Sequence, residues 1–267
     1  MKKYKLSKAY TREFEGITLH RVEALYSFND VVKGDLGGWV ESENNLSQSG
    51  DCWIYNNAMV MEDARVYDDA IVMGNVHIYE NGNVCDNAVV ADSATVCDSA
   101  TVANYAKVSG MAKITGDSLI LDHAKVRSRA IIADNSKVTD FGLVMGNSLL
   151  SGSSKVTGHG IVMGSAKISG NTVIDSKAVI DNKVIVSSSD NVMTIPVAID
   201  NKQVLLTFYR SDIDNEIYIT SNYYTNYGTI DEFKYKIFRT YDSSDPTYRS
   251  CISAIDIAEA SLRVKKR

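Results

Sequence analysis

From Ile54 to Val186 every sixth residue is a branched aliphatic, 23 positions in succession without a slip of phase, and only Leu150 among them is not β-branched. No other feature of the chain restricts its fold as strongly, because a fixed period marks a repeated structural unit. Two residues before most of these positions sits a small side chain: Ala58, Ala64, Ala70, Ala88, Ala94, Ala100, Ala106, Ala112, Ser118, Ala124, Ala130. The stretch SATVCDSATVANYAKVSG, Ser93 to Gly110, shows the phrase three times over. An α-helix repeats its apolar stripe every three to four residues, so a period of six does not fit one. Short β-branched strands separated by turns do fit. The pairs midway between aliphatics are turn formers, as in Gly74-Asn75, Asp86-Asn87, Gly116-Asp117, Asp134-Asn135 and Gly146-Asn147. Such residues tolerate left-handed backbone or bond their own main chain. Each hexad therefore reads as one short flat side followed by one corner.

The phrase [Ile/Val]-x-[Gly/Asp]-x-[Ala/Ser]-x resembles the hexapeptide repeat of left-handed parallel β-helix proteins. The resemblance covers about half the chain and implies a mainly β fold, a triangular solenoid with three hexads per coil and seven to eight coils. Residues 18 apart would then stack at a rise of about 4.8 Å. Upstream, GDLGGWVESENNLSQSGDCWIY, Gly34 to Tyr55, resembles the lead-in segment of the YdcK-like bacterial group, whose members carry an acyltransferase label.

The 267 residues, 45% of them hydrophobic, suffice for one large or two smaller domains. The sequence divides into an N-terminal cap at 1–50, the repeat at 51–188 and a small α+β domain at 189–267. The cap holds a strand over Ile17 to Leu25. Its Val40 and Leu46 are six apart but out of phase with Ile54. Beyond the repeat, Asn191 to Ile199, Val204 to Arg210 and Glu216 to Ser221 read as three strands. Thr229 and Glu232 form a capping box ahead of Phe233 and Ile237. Asp245-Pro246 opens a second helix carrying Ile252, Ile255 and Leu262. This module resembles C-terminal modules of phage and prophage proteins. Eight of the 15 tyrosines lie in it, and tyrosine suits both interfaces and half-buried sheets. The terminal LRVKKR reads as a solvated basic end.

Charge and cysteines narrow the function classes. A net charge of -5 argues against a general nucleic-acid binder. Cys52, Cys85, Cys97 and Cys251 share no metal-ligand spacing. No leader-like apolar segment follows the charged N-terminus, and no run approaches the roughly 18 apolar residues of a membrane helix. The expectation is a reduced, cytoplasmic protein without a membrane partner or a bound metal. Aspartates at corners are explained by turn chemistry, since Ca²⁺ needs six or more oxygens arranged around it.

Stacking by 18 maps the exterior. One corner column reads Asp69, Asn87, Tyr105, His123, Phe141, His159, Lys177, while the other two corners are mostly Asn, Ser and Asp. Tyr105, His123, Phe141 and His159 thus form a candidate binding edge, with Lys107, Lys125 and Arg127 beside it. A structural ladder of stacked rings is the competing reading. The adjoining face displays Ile71, Met73, Val89, Leu143, Met145, Ile161 and Met163. Outward apolar side chains in such number suggest a contact surface. Self-association is expected there, a trimer by resemblance to hexapeptide acyltransferases, with packing of the C-terminal domain as the alternative.

Two functions compete. The first is a non-enzymatic binding or scaffold protein without a cofactor, phage- or prophage-encoded and acting on a host protein through the aromatic edge or the C-terminal domain. A structural element of a phage particle is a weaker variant. The alternative, implied by the resemblance, is an acyl-CoA-dependent acyltransferase. Its general base would be His123 or His159, oriented by Asp122 or Asp140, with Lys107, Lys125 and Arg127 meeting the phosphates of acetyl-CoA or another acyl-CoA. The unbroken register argues against it, because no loop leaves the repeat to enclose a substrate. His77 falls on another face and His20 in the cap, and neither strengthens the enzyme reading.

Overall fold

The computed structural model describes residues 2–223 and 225–262, so the end of the basic tail lies outside the described residues. The protein is mainly β: a parallel β-solenoid of about 8 turns and a small C-terminal α+β region. By internal contacts the chain divides into two compact units, residues 1–141 and 142–267, each carrying part of the repeat.

In the first unit the hexads form three parallel ladders of two-residue strands. One face runs Trp53–Ile54, Ile71–Val72, Val89–Val90, Lys107–Val108, Lys125–Val126. The second runs Met59–Val60, His77–Ile78, Thr95–Val96, Lys113–Ile114, Ile131–Ile132. The third begins at Arg65–Val66 and continues through Asn83–Val84, Thr101–Val102, Leu119–Ile120 and Lys137–Val138. Partners are 18 residues apart throughout, and the bonds between coils run likewise, as from Lys107 N to Ala124 O at 2.9 Å and Ser109 N to Val126 O at 2.9 Å. The second strand residue points inward and is fully buried, with Val72, Val90, Val108 and Val126 all at 0% exposure. Each such side chain contributes about 1.5–3 kcal/mol of apolar burial.

The corners turn on left-handed backbone, with φ of 55° at Asp68 and Asp86, 58° at Asn104, 59° at Asp122 and 56° at Asp140. These side chains also link the coils. Asp86 Oδ2 accepts the Asn104 N–H at 2.9 Å, Asn104 Oδ1 the Asp122 N–H at 3.1 Å, and Asp122 Oδ2 the Asp140 N–H at 3.1 Å. An Asp or Asn at this place both permits the turn and binds the amide of the next coil.

The cap departs from the expected single strand. An antiparallel hairpin, Tyr4–Phe14 with Ile17–Ala24, turns at Glu15-Gly16 and adds to the second face through Leu36–Val40, which pairs in parallel with Met59–Val60. The long polar strand Tyr4–Phe14 was not evident in the sequence because Lys5, Ser7, Lys8, Thr11, Arg12 and Glu13 leave no strong apolar signal. Val40 pairs with Val60 and Leu46 bridges to Val66, so the first coil spans 20 residues instead of 18. This explains why Val40 and Leu46 are out of phase. Gly37 and Gly38 permit close passage there: a Cβ on either would lie 2.6 Å from a backbone oxygen, of Ile54 and Ala58 respectively. Lys3, fully buried, donates to Gly50 O at 3.0 Å, to Cys52 O at 2.9 Å and to Cys52 Sγ at 3.2 Å.

In the second unit the hexads again form parallel ladders: Leu143–Val144, Ile161–Val162, Val179–Ile180; Leu149–Leu150, Lys167–Ile168, Ile185–Val186; and Lys155–Val156 with Val173–Ile174. The α+β region follows. Its antiparallel sheet has four strands, not the three expected: Val192–Ile199, Lys202–Arg210, Ile217–Ser221 and Asn226–Thr229. The fourth, Asn-Tyr-Gly-Thr, is short, bulged and polar, with Gly228 at φ 79°, and lacks the alternation that marks a strand. Helices Ile230–Thr240 and Pro246–Leu262 complete the region, the first with its capping box at Thr229 and Glu232. Asp245 Oδ1 accepts the Thr247 N–H at 2.7 Å at the start of the second. Phe208, Ile219, Phe233, Ile255 and Leu262 form its core.

Candidate active site

Three of the predicted column's residues, Tyr105, His123 and Phe141, stack in the first unit. Tyr105 and His123 stack at 5.1 Å between ring centroids with 11° between planes, and His123 and Phe141 stack at 5.1 Å with 6°. Tyr105 and Phe141 are each 55% exposed, and His123 is exposed. His159 is exposed in the second unit. The rings turn their faces to one another and their edges to solvent, so both faces of His123 are covered and no broad aromatic platform is left open. The proposed orienting role of Asp122 is not seen either: its Oδ2 is bound to the Asp140 N–H. Lys107, Lys125 and Arg127 are exposed. Among the outward apolar residues, Ile71, Met73 and Val89 are half-buried in the first unit, and Leu143, Met145, Ile161 and Met163 in the second. The C-terminal sheet covers Val179–Ile180, the strand that follows Ile161–Val162 in that ladder. Val179 N–H donates to Thr207 Oγ1 at 3.0 Å, and the Thr220 hydroxyl donates to Val179 O.

A second histidine has a different setting. His77 stands on the second face, between Met59 and Thr95 in register. The tip of the N-terminal hairpin lies over it, with Phe14 edge-on to the imidazole at 5.3 Å and 72°. Between tip and face is a cavity of about 270 Å³. Phe14, Ile17 and Met61 give it an apolar wall, and His77, Glu15, Glu62, Tyr79 and Thr95 supply polar groups. Leu19, Met59, Trp39 and Tyr79 pack into the same apolar cluster and hold the hairpin down. The Arg12 guanidinium is nearby, 5.4 Å from the Trp39 ring and 5.9 Å from the Phe14 ring.

The electrostatics follow from this enclosure. Burial, and then the Arg12 charge, lower the His77 pKa below its ordinary 6.5, against an opposing pull from Glu15. The imidazole is thus neutral at neutral pH, the form that accepts a proton. The Tyr79 hydroxyl lies against the Cys97 thiol, and this contact, with burial, pushes the tyrosine pKa up. Glu62 Oε2 accepts the Glu80 N–H at 2.5 Å, which fixes the Glu62 carboxylate at the rim.

Two larger cavities contain no imidazole. One of about 910 Å³ lies in the C-terminal region against Tyr218, Tyr227 and Tyr235; its amides bond within the protein, Asn226 to Asn182 and Asn182 to Tyr209. The other, of about 460 Å³, is lined by Gln48, Arg65, Tyr67 and neighbours. A covering element for His77 is present, and it comes from the N-terminus and not from the repeat. The turn pair Glu15-Gly16 between two extended segments was the available signal.

No family model matches the chain. Over 63 residues it is 40% identical to a protein of Escherichia coli K12 described as "Uncharacterized acetyltransferase YdcK"; the match takes in 21% of this chain and 19% of that protein. Together with the solenoid, the partial match fits a hexapeptide-repeat β-helix family. It favours the acyltransferase alternative over the non-enzymatic scaffold, which gains no support. The match gives no indication of a phage origin for the C-terminal module.

Proposed function

We propose that the protein is an acyl-CoA-dependent acyltransferase whose general base is His77. The observation that carries this reading is the cavity under the hairpin tip, which holds a half-buried imidazole against an apolar wall. The partial likeness to a protein described as an acetyltransferase supports the reaction class. In such a transfer the imidazole takes a proton from the acceptor as its nucleophilic atom attacks the thioester carbonyl. The C–S bond then breaks, and the departing thiolate recovers the proton. Positioned acid–base catalysis of this kind is worth about 10²–10⁴-fold. The hairpin limits water at the reacting centre, a task that a protruding loop would otherwise serve.

The test is release of free coenzyme A thiol from acetyl-CoA across amine and hydroxyl acceptors. Turnover is expected for the unaltered protein and for His123→Ala and His159→Ala, with loss in His77→Ala. Turnover that survives in His77→Ala but is lost in His123→Ala would move the site to the aromatic edge.

A further inference from the structure

Lys3 and Cys52 meet inside the first unit, each at 0% exposure. The Lys3 ammonium donates to Gly50 O at 3.0 Å, to Cys52 O at 2.9 Å and to Cys52 Sγ at 3.2 Å, and it stands 5.4 Å from the centre of the Phe28 ring. No carboxylate pairs with it among the described residues. A buried cation normally takes an acidic partner, and here a thiol stands in that place. Neighbouring bonds hold the amine in position. Gln48 Oε1 accepts the Lys3 N–H at 2.8 Å and the Tyr4 N–H at 3.3 Å, and the Tyr4 hydroxyl donates to Leu46 O at 2.5 Å. The cysteine is as unusual as the lysine. Cys52 lies two residues before Ile54, a place that the later coils of this column fill with Ala70, Ala88, Ala106 and Ala124, all fully buried. Packing there needs only a methyl group, and the sulfur appears in the coil that Lys3 crosses. Cys85 and Cys97 face the Tyr67 and Tyr79 hydroxyls instead. Burial raises the Cys52 pKa and the Lys3 charge opposes that rise, so the amine favours the thiolate, the form that peroxide oxidises.

We propose that Lys3 and Cys52 form an oxidative cross-link, with a single oxygen atom bridging Nζ and Sγ, when the protein meets hydrogen peroxide. The cross-link is independent of the acyltransferase reading. The contact of 3.2 Å is close to the span of two single bonds through an oxygen, so little movement is needed. Peroxide is small and uncharged, and local opening at the outer strand Tyr4–Phe14 admits it. The Cys52 sulfur attacks one peroxide, the O–O bond breaks, and a sulfenic acid and water form. The Lys3 nitrogen, after giving up a proton, attacks a second peroxide and becomes a hydroxylamine, with water released. The hydroxylamine oxygen then displaces water from the sulfenic sulfur. Sulfur and nitrogen each lose two electrons and both peroxides are reduced. The products are the N–O–S bridge, three waters and the ammonium proton. The bridge joins residues 49 apart, so it closes a loop between the cap and the first coil and restricts the unfolded chain as a disulfide does.

The experiment treats the full chain with hydrogen peroxide and maps its peptides by mass after digestion. The expected product is a joined pair of peptides holding Lys3 and Cys52, heavier than their sum by about 14 Da, one oxygen gained and two hydrogens lost. Dithiothreitol should separate the pair again. The melting midpoint of the oxidised protein should lie about 5–10 °C above that of the same sample after dithiothreitol. Cys52→Ala keeps the packing found elsewhere in the column and should show neither the joined peptide nor the rise. Lys3→Met keeps a buried stem, and its Cys52 should instead gain about 16 Da and then about 32 Da. Should Lys3→Met fail to fold, the peptide map of the unaltered protein and Cys52→Ala still decide. Sulfenic or sulfinic acid at Cys52 of the unaltered protein without a joined peptide would overturn the proposal. A Cys52 that stays a free thiol in peroxide would overturn it equally, as would a joined peptide that persists in Cys52→Ala.

Discussion

Two histidines on one solenoid, His123 and His77, occupy opposite situations. His123 is a rung in an exposed stack, its faces covered by Tyr105 and Phe141. His77 is half-buried beneath a hairpin, with a cavity beside it and its pKa lowered by burial. The repeat alone makes the first setting, because a column of like positions brings rings within stacking distance. Only a second element folded over the repeat makes the other. A β-solenoid thus displays side chains easily, and it encloses them only with help from outside its own period.

Activity should separate the two histidines most sharply. His77→Gln should cost at least about a hundredfold in acyl transfer, whereas His123→Gln should stay within about twofold; equal losses measured by thiol release would erase the distinction. The ladder should reveal itself in stability instead. His123→Ala removes two stacked pairs and is expected to lower unfolding free energy by about 1–3 kcal/mol, and Tyr105→Ala by about half as much, both read by urea denaturation. Phe14→Ala should uncover His77 and bring its NMR titration back up towards 6.5.

The pH dependence of stability has a defined sign. His77 has a lower pKa folded than unfolded, so its contribution is full above the unfolded value of 6.5. It is lost as pH falls below 6.5 and through the folded value. Acidification from pH 7 to 5 should therefore destabilise the unaltered protein more than His77→Gln, as followed by thermal melts; identical slopes would mean that the imidazole is solvated. At a corner the expected effect falls on stability alone. Asn104→Ala loses a side-chain bond on each side, from its Nδ2 to Asp86 at 2.8 Å and from the Asp122 N–H at 3.1 Å. It should cost about 1–2 kcal/mol by denaturant titration without changing turnover.

The solenoid was legible because its register is arithmetic. Eighteen-residue stacking named Tyr105, His123 and Phe141 as neighbours before any coordinates, and their ring separations agree. The cap was less legible, because two extra residues between Val40 and Val60 break the phase. The cavity was hidden for another reason. Phe14 and His77 meet only because the hairpin folds back over the second face, a tertiary event with no periodic trace. The corner aspartates have a use the sequence did not display: Asp122 Oδ2 binds the backbone N–H of Asp140 in the next coil.

The strand Tyr4–Phe14 is the outer member of its sheet, and the same hairpin forms the roof over His77. The edge of the sheet and the cover of His77 are therefore one trait in this chain. A substitution that loosens the hairpin to widen the cavity also frees main-chain donors and acceptors that template polymerisation. The cavity is better widened at the Ile17 and Met61 side chains, which can be trimmed without unzipping the strand pair.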